Sequence, residues 1–388
     1  MRTQVGIVGA GPAGLLLSHL LHLHGIDSLV LEARSRDYVE NRIRAGVLEN
    51  TTEDLLSQAG VGERMRHDGI AHHGINLRFN GSDHRIDFRA LTDRHVMVYS
   101  QHLVVQDLIA KRLGAGGQIS FEAEDVAVHD VATARPRITW RQCGREQSLE
   151  CDFIAGCDGF HGICRPSLPD GALTVFERDY PFGWLGILAE AAPSSDELVY
   201  VNHDRGFALL SLRSPTVSRL YLQCAPDEDL QAWSDDRIWA ELRARTSRDG
   251  FTLNEGRVLQ KGVTQMRSFV VEPMQFGRLF LLGDAAHIVP PTGAKGLNLA
   301  AADVAFLARA LHAFFADHRT DMLDGYSATC LSRVWKVQRF SAWMTSMLHR
   351  FEQHGGFDRR VQLAELDYVT GSVAASTALA ENYVGLPL

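Results

Sequence analysis

Short apolar runs alternate with amphipathic stretches along this chain, and the first 32 residues carry the pattern clearly. An apolar run at 5–8 is followed by leucines at helical spacing, and a second run, "SLVLE" at 28–32, ends on Glu32. Apolar residues that recur every three or four positions predict an amphipathic helix, whereas short continuous runs are typical of buried strands. The pattern therefore predicts a strand, a helix and a second strand. The leucines of the predicted helix are Leu16, Leu17, Leu20, Leu21 and Leu23.

Three glycines with GxGxxG spacing fall between the first predicted strand and the helix. Gly9 would make the tight turn, Gly11 would let the backbone approach a pyrophosphate, and Gly14 would let the helix pack closely on the strand. Glu32 would accept hydrogen bonds from a ribose. In this strand–helix–strand context the motif predicts a dinucleotide-binding unit, but it does not distinguish NAD from FAD.

Two later apolar runs also lead into an acidic residue. "FIAGCDG" at 153–159 carries Asp158 before its last glycine, and "LFLLGD" at 279–284 ends on Asp284, whose carboxylate could bind a ribityl hydroxyl or the amides of its own turn. A loop rich in Pro and Gly follows at 289–298, and loops of this composition are candidates for cradling a ligand.

A predicted hairpin in the middle of the chain groups polar side chains. "FALLSLR" at 207–213 alternates so that Ser211 and Arg213 lie on one face of a strand. A turn centred near Thr216 would place Tyr221 of the return strand across from Ser211 on that face. Arg suits a planar carboxylate because its fork donates two parallel hydrogen bonds. Without further information, a surface arginine at a strand end is the plainer interpretation of Arg213.

Composition limits the function classes. The 388 residues are 45% apolar and 22% charged, which is typical of a folded globular chain, and the net charge of −8 makes a nucleic-acid partner unexpected. The sequence lacks a signal-peptide pattern and an apolar run of membrane-spanning length, so we expect no membrane association and a cytoplasmic location. The six cysteines lack zinc-site spacing, so we expect reduced thiols and no metal site.

GxGxxG near the start, DG near the middle and GD in the last third, in this order, resemble the single-component FAD-dependent aromatic hydroxylases. Longer stretches extend the resemblance over essentially the whole chain, towards the members of that family that act on 4-hydroxybenzoate. The stretches are "RIRAGVLE" at 42–49, "CDFIAGCDGFHG" at 151–162, "YPFGWLG" at 180–186, "RSFVVEPMQ" at 267–275, "GDAAHIVPPTGAKGLNLAA" at 283–301 and "AENYVGLP" at 380–387.

The resemblance implies an α/β fold with a Rossmann-like FAD-binding domain at 1–175 and a mixed-sheet substrate domain at 176–266. The GD motif then returns to the FAD domain in 267–388, which ends in helices at an expected homodimer interface; amphipathic stretches at 298–315 and 331–351 support those helices. It also implies conversion of 4-hydroxybenzoate to 3,4-dihydroxybenzoate in aromatic catabolism. FAD would stay tightly bound, NAD(P)H would visit transiently, and O2 would react through a flavin C4a-hydroperoxide.

The resemblance further implies roles for individual residues. Ser211, Arg213 and Tyr221 would bind the substrate carboxylate. Tyr200, Tyr383 and His72 would carry the phenolic proton to solvent, and an unperturbed histidine pKa of about 6.5 would suit exchange with water near neutral pH. Tyr200 and the Pro291 carbonyl would contact the substrate hydroxyl. From position alone, His72 would be an exposed loop residue.

Cofactor residues follow from the same resemblance. Lys295 would add positive potential near the flavin, although a solvated lysine is the plainer interpretation, and Ala33 stands where the NADPH-using pattern has Arg. We therefore expect NADPH to be preferred, with some use of NADH. The FAD residues would be Gly9, Gly11, Gly14, Glu32, Arg42, Arg44, Gly46, Val47, Gln101, Asp158, Asp284, Lys295 and the backbone of Leu297 and Asn298. The NAD(P)H residues would be Arg34, Tyr38, Arg42, Arg44, His161 and Arg267.

Three alternatives stay open at this point. A related flavin hydroxylase could act on 3-hydroxybenzoate or 4-aminobenzoate, or hydroxylate 3,4-dihydroxybenzoate a second time. A plain NAD-dependent dehydrogenase would show no yellow colour and no oxygen uptake. A non-catalytic FAD- or NAD-binding module would bind the dinucleotide without ligand-stimulated NADPH oxidation.

Overall fold

The computed structural model describes residues 1–42 and 46–387. The strands are β1 (Val5–Val8), β2 (Ser28–Leu31), β3 (Val47–Glu49), β4 (Ile70–His72), β5 (Gly74–Phe79), β6 (Ser82–Asp87), β7 (Val96–Val98), β8 (Gln118–Ser120), β9 (Glu124–His129), β10 (Arg137–Gln142), β11 (Arg145–Glu150), β12 (Phe153–Gly156), β13 (Thr174–Glu190), β14 (Val199–Val201), β15 (Ala208–Ser214), β16 (Val217–Cys224), β17 (Arg257–Glu272), β18 (Gln275–Phe276), β19 (Leu279–Leu281) and β20 (His287–Ile288). The helices are α1 (Pro12–Leu23), α2 (Arg36–Asn41), α3 (Asn50–Gln58), α4 (Glu63–Asp68), α5 (Phe88–Thr92), α6 (Gln101–Gly114), α7 (Asp235–Thr246), α8 (Gly296–Asp317), α9 (Asp321–Asp324), α10 (Tyr326–Leu348), α11 (Gly356–Gly371) and α12 (Val373–Val384).

A mainly parallel sheet forms the first layer, in the order β18-β19-β12-β1-β2-β8. The predicted β1–α1–β2 unit is confirmed, and the runs at 153–156 and 279–281 are the buried strands β12 and β19. Val8 pairs with Gly156, and Gly156 pairs with Leu281, in parallel register. Because parallel strands end at a common edge, the GxGxxG, DG and GD motifs meet there, where α/β sheets usually bind their ligands.

A mixed sheet forms the second layer, in the order β20-β17-β13-β16-β15-β14-β5-β6. Its main strands come from the predicted substrate segment, but β5 and β6, at 74–87, join it through parallel pairing of β14 with β5. The predicted domain bounds of 1–175 and 176–266 do not separate the two sheets at these strands. Local pattern cannot reveal such a pairing, because the paired strands are more than a hundred residues apart.

The antiparallel ribbon of β13 and β17 is the longest pairing in this sheet. It runs from Thr174 opposite Glu272 to Glu190 opposite Arg257, with an irregularity between Asp179 and Gly183. Near the Glu272 end of the ribbon, β17 pairs with β20, which follows the loop after β19 of the parallel sheet. The ribbon therefore joins the two layers. In the sequence, the hairpin of β15 and β16 lies between its two strands.

The helical C-terminal region agrees with its prediction, since α8 and α10 cover the two amphipathic stretches. In the described part of the chain, α8 alone is long and apolar enough to cross a membrane, but most of its apolar stretch is buried against the rest of the protein. The helix begins at Gly296, directly after the Pro- and Gly-rich loop, so its amino-terminal end faces the edge where the motifs meet.

Candidate active site

At two of the GxGxxG glycines a side chain would clash with the backbone, and at the third there is open space. Gly9 has a φ of 104°, and a Cβ there would lie 2.4 Å from the Cys157 carbonyl oxygen. A Cβ on Gly14 would lie 2.0 Å from the Gly9 oxygen, whereas a Cβ on Gly11 would meet nothing within 4 Å. The turn and the helix are therefore packed as tightly as a pyrophosphate loop requires, and the room is left at Gly11, beside the first turn of α1.

Two carboxylates stand at the same edge. Glu32 accepts hydrogen bonds from the backbone N–H groups of Ala10 and Arg34, both at 2.8 Å, which holds its side chain beside the glycine loop. Asp158 accepts from the Cys164 N–H at 2.8 Å, but its Oδ1 is buried and has no partner among the described residues. Burial raises the pKa of Asp158. An orphaned buried acceptor is costly unless a ligand hydroxyl or N–H reaches it.

The amino-terminal end of α8 is open to a ligand. A Cβ on Gly296 would meet nothing within 4 Å. The side chain of Asn298 is already used, since its Oδ1 accepts from the Glu49 N–H and its Nδ2 donates to the Val47 and Ala294 carbonyls. The first amides of the helix therefore remain for a ligand, and such amides favour negative charge. Together with Gly11 and Asp158, this arrangement fits bound FAD.

A buried pair that the sequence did not single out supports the GD loop. Asp303 on α8 accepts from the Gly283 N–H at 3.0 Å and from His287 Nε2 at 2.7 Å. The pKa of His287 is raised, because Asp303 outweighs the opposing effect of burial. The loop that carries Asp284, which is exposed, is thereby fixed to the helix. The apolar spacing at 298–315 predicted the helix that contains Asp303, but it could not predict that Asp303 pairs with His287, which precedes the helix.

The hairpin of β15 and β16 carries the predicted substrate residues, but with another register. Tyr221 pairs with Leu209, and Ser211 pairs with Arg219, so the predicted pairing of Tyr221 with Ser211 is wrong. The turn is tighter than expected, and a bulge lies at Arg213. A shift of two residues keeps Ser211 and Tyr221 on one face, so this part of the face prediction survives the error, whereas the bulge interrupts the alternation at Arg213. The Ser211 hydroxyl donates to the Arg219 carbonyl at 2.9 Å.

Arg213 is a half-buried cation that lacks a carboxylate partner among the described residues. Its Nη1 donates to the Leu212 carbonyl at 3.0 Å, and its Nε is buried without a partner there. Burial lowers the pKa of this guanidinium, and the neighbouring Tyr221 acts in the opposite direction. The plainer interpretation as a surface arginine at a strand end is therefore right only in part, since the residue is half-buried and its Nε is enclosed. A desolvated guanidinium of this kind is ready to bind an anionic ligand.

An aromatic wall lies beside Arg213 and was missed from the sequence. Trp184 lies with its ring centre 5.0 Å from that of Tyr221, and its Nε1 donates to His349 Nε2 at 2.6 Å. Burial lowers the pKa of His349 to about 3, so the imidazole is the neutral acceptor that the indole needs. A Cβ on Gly186 would lie 2.7 Å from Arg219 Nη2, so the absence of a side chain there makes room for the guanidinium that lies beside the Tyr221 ring.

Tyr200 and Tyr383 meet although they are far apart in the sequence. Tyr200 lies on β14 and Tyr383 near the end of α12, and their hydroxyls share a hydrogen bond of 2.6 Å. Burial raises the pKa of both phenols above the usual value. Both side chains therefore stay protonated near neutral pH, and a linked pair of hydroxyls can donate and accept at once.

His72 is buried at the end of β4 rather than exposed in a loop. The residue is 0% exposed, and neither ring nitrogen has a hydrogen-bond partner among the described residues. Burial lowers its pKa to about 4, with Glu197 acting in the opposite direction. The expectation of an ordinary histidine pKa is therefore wrong. The structure joins the two tyrosines directly but does not join either of them to His72 by a direct hydrogen bond.

Lys295 and Pro291 have internal partners in the loop before α8. Lys295 is 1% exposed and donates to Glu49 Oε1 at 2.6 Å, so the interpretation as a solvated lysine is wrong. Burial lowers the pKa of this lysine, with Glu49 acting in the opposite direction. The Pro291 carbonyl accepts from the Ala294 N–H at 2.9 Å and has a second lone pair for a ligand.

Gly46, Val47 and Gln101 lie near one another through backbone packing. A Cβ on Gly46 would lie 1.9 Å from the Tyr99 carbonyl oxygen, so this position needs glycine. Val47 begins β3, which pairs with β7 just before Gln101 opens α6. Their predicted contacts with FAD stay predictions.

The residues predicted for NAD(P)H fall into two groups. The guanidinium groups of Arg34 and Arg42 both lie 5.6 Å from the centre of the exposed Tyr38 ring. His161 and Arg267 both lie against Phe160, at 5.0 Å and 4.9 Å from its ring centre, on the surface beside the β13–β17 ribbon. The first group is a basic, aromatic patch suited to a phosphate. Arg44, predicted for both cofactors, lies outside the described residues.

Comparison with known sequences places the chain among flavin-binding hydroxylases. The family model described as FAD binding domain matches residues 2–341. A p-hydroxybenzoate hydroxylase of Acinetobacter baylyi is 51% identical over 389 residues, covering 100% of this chain and 96% of that protein. A 3-(3-hydroxy-phenyl)propionate/3-hydroxycinnamic acid hydroxylase of Burkholderia vietnamiensis is 27% identical, and the match covers 79% of this chain and 56% of that longer protein.

Solved structures share the same fold. A p-nitrophenol 4-monooxygenase of Pseudomonas putida matches with a TM-score of 0.83 at 20% identity, over 100% of both chains. An aklavinone-11 hydroxylase, solved with FAD and aklavinone, matches with a TM-score of 0.74 at 23% identity, over 89% of this chain and 69% of that one. At these identities the likeness establishes the architecture and nothing finer.

Proposed function

Because this chain belongs to the p-hydroxybenzoate hydroxylase family of FAD-binding monooxygenases, we propose that it hydroxylates 4-hydroxybenzoate at C3 to give 3,4-dihydroxybenzoate. It is an enzyme of aromatic hydroxylation, with NAD(P)H and O2 as cosubstrates of its class. The substrate, the position of hydroxylation and the residue roles are our proposal. The homodimer and the cytoplasmic location stay predictions.

One observation carries the choice of substrate. A half-buried guanidinium without an acidic partner in the described chain, Arg213, lies beside Tyr221 in the same sheet as Tyr200, whose hydroxyl is bonded to that of Tyr383. Tyr200 pairs with Leu209, and Leu209 pairs with Tyr221, so the two phenols belong to strands that flank one strand. Strands spaced at about 4.8 Å put the Cα atoms of such residues about 10 Å apart, which leaves room for one aromatic ring.

The two ends of this arrangement suit the two ends of a hydroxybenzoate. Arg213 would hold the carboxylate in two parallel hydrogen bonds, with Tyr221 beside it against Trp184. Tyr200 would accept the phenolic proton of the substrate while donating its own to Tyr383. Removal of that proton makes the ring electron-rich at the carbon next to the hydroxyl, which is C3.

The glycine loop and the amino-terminal end of α8 would hold FAD, and the bound cofactor, reduced by NAD(P)H, would supply the activated oxygen for hydroxylation of the ring. The chain's own residues would orient the ring and hold its proton. The neutral His72 would take the proton onward from Tyr383 through a water molecule, because its unpartnered nitrogens can accept on one side and donate on the other.

A spectrum and a coupled assay test this proposal. The purified protein should be yellow, and 4-hydroxybenzoate should stimulate NADPH oxidation with matching O2 uptake and formation of 3,4-dihydroxybenzoate. A panel with 3-hydroxybenzoate, 4-aminobenzoate and 3,4-dihydroxybenzoate separates substrates that share the carboxylate. Faster coupled turnover of another panel member would refute the assigned substrate, and a colourless protein without oxygen uptake would refute the reaction.

Coenzyme preference forms a separate proposal. We propose NADPH as the preferred donor with measurable use of NADH. The patch of Arg34, Tyr38 and Arg42 suits a 2′-phosphate, although Ala33 stands where the NADPH-using pattern has Arg. The values of kcat/KM for both coenzymes measure the preference. An NADH value about tenfold above the NADPH value, equivalent to about 1.4 kcal/mol in transition-state binding, would refute it.

A further inference from the structure

The tail of the chain, defined as residues 383–387, is held by basic side chains from separate elements. Each of these side chains donates to backbone carbonyls of the tail, and cations at the end of a helix satisfy its last carbonyl groups. The contacts are Lys295 Nζ to the Tyr383 carbonyl (2.8 Å), Arg94 Nη1 to the Gly385 carbonyl (3.1 Å), and Arg333 Nη1 to the Leu386 (2.7 Å) and Pro387 (2.9 Å) carbonyls.

Glu49 ties two of these cations together beneath the tail. Its Oε1 accepts from Lys295 at 2.6 Å and its Oε2 accepts from Arg333 at 3.1 Å, in a carboxylate that is 3% exposed. Both basic side chains therefore bridge one buried carboxylate and the tail. Breaking a buried ionic network by removing one member leaves the others uncompensated, so the arrangement fixes the tail in one position.

Gly385 lets the tail approach this carboxylate. Its φ is 105°, and a Cβ there would lie 2.3 Å from Glu49 Oε2. Because Glu49 is held on its other side by Lys295, it could not move away without breaking that pair. A side chain at this position would therefore push the tail outward.

The position of the tail decides the position of Tyr383. This residue is both the first acceptor of the tail network and the partner of Tyr200, whose hydroxyl lies 2.6 Å from its own. Its ring stacks on Phe88 with centres 5.0 Å apart. Hydrogen bonds weaken steeply beyond about 3.2 Å, so an outward shift of about 1 Å would break the link between the hydroxyls.

We propose that Arg333 and Gly385 are positioning residues of the proton relay: by seating the tail on Glu49 they keep the Tyr383 hydroxyl within hydrogen-bond distance of Tyr200. The proposal rests on the function proposed above for the two tyrosines. The side-chain contacts of Arg333 lie at the tail and at Glu49, and Gly385 belongs to the tail itself, so the tail links both residues to Tyr383.

The test measures product formed per NADPH oxidised by the full-length holoenzyme across pH, with Arg333→Met as the principal variant. At neutral pH this yield should fall by about tenfold, which is less than the about 10²–10⁴-fold contribution of general acid–base catalysis, because the relay is displaced rather than removed. It should recover as the pH approaches the pKa of the phenol, because the substrate then loses its proton without the relay. The KM for 4-hydroxybenzoate should be unchanged, since the carboxylate contacts are intact.

Further variants separate positioning from folding and from charge. Gly385→Ala changes no charge and should give the same pH-dependent loss, and Arg333→Lys should restore part of the yield. Arg339→Met is the matched control, because Arg339 is an exposed residue on the same helix that reaches the Asn382 side chain at 3.4 Å and not the tail carbonyls. Its yield should equal that of the parent.

The outcomes distinguish this inference from the proposed function. If Tyr383→Phe leaves the yield and its pH profile unchanged, the relay itself is refuted. If Tyr383→Phe lowers the yield but Arg333→Met and Gly385→Ala do not, positioning by the tail is refuted and the relay stands. A loss that does not recover at high pH, or a raised KM, would also overturn the inference, because it would indicate general damage to the site.

Discussion

Replacing Arg213 by methionine should weaken substrate binding without weakening the fold. Arg213 is half-buried with an enclosed Nε, has no acidic partner among the described residues, and donates within the protein to the Leu212 carbonyl. Loss of that hydrogen bond costs about 1 kcal/mol, and removal of a buried, unpaired charge offsets it. The free energy of unfolding of the substrate-free enzyme should therefore stay equal or rise.

The effect on binding should be large. Truncating one partner of a buried charge pair costs about 2–5 kcal/mol, which raises Kd by roughly 30-fold to 4,000-fold. Titration of the holoenzyme with 4-hydroxybenzoate, followed by the change in flavin absorbance, measures this Kd. Phenol, which lacks the carboxylate, serves as the matched ligand, and its Kd should be the same in both proteins.

Arg245→Met provides the contrasting variant, on helix α7 beside the same hairpin. Arg245 is buried, but it pairs with Glu241 at 3.1 Å and donates to the Phe207 and Gln223 carbonyls. Its loss should lower the free energy of unfolding by about 3–5 kcal/mol. The reasoning about Arg213 would be refuted by a Kd within about threefold of the parent, equivalent to less than 1 kcal/mol, or by an equal loss of affinity for phenol.

Three other outcomes follow from the geometry. Tyr200→Phe should spare substrate binding but uncouple NADPH oxidation from hydroxylation; an unchanged product yield per NADPH would contradict the relay. Gly14→Ala should reduce FAD retention after gel filtration, because its Cβ would lie 2.0 Å from the Gly9 oxygen; full retention would contradict the packing argument. The thermal midpoint should fall as pH drops from 6.5 towards 4, because His72 and His349 have folded pKa values of about 4 and about 3, so the unfolded chain binds the protons first. Each imidazole contributes up to about 1.4 kcal/mol per pH unit to the slope of the free energy of unfolding against pH. His349→Gln should make this slope smaller, and an identical slope in the variant would refute the low pKa assigned to His349.

The nucleotide-binding half was predictable from the sequence because its signals are local. The apolar runs, the glycine spacing and the acids that follow β12 and β19 all lie in short segments, and parallel pairing then brings them to one edge. The common face of Ser211 and Tyr221 was predictable for the same reason. The register of the hairpin was not, because alternation repeats every two residues and cannot detect the tighter turn before Val217.

Contacts between distant segments could not be predicted in this way. From the sequence alone, Lys295 would be a solvated lysine, but in the fold it pairs with Glu49 at the end of β3. His72 reads as an exposed residue until pairing with β7 buries it. His349, at the end of α10, reads as a surface histidine until Trp184 donates to it. In each case the chemistry depends on a partner more than 20 residues away, or on burial that only the folded chain creates.

The β13–β17 ribbon closes the chain from Thr174 to Glu272 into a single excursion, because its two ends are antiparallel neighbours. Apart from Pro291 and the tail, the residues proposed to meet the aromatic acid lie inside that excursion, and the glycine loop and α8 lie outside it. After a gene duplication, substitutions between these two positions can retune which acid is accepted while the dinucleotide site is inherited unchanged. For protein engineering, the same layout makes 174–272 the cassette to exchange, provided that the edge of β14 that pairs with β5 is preserved.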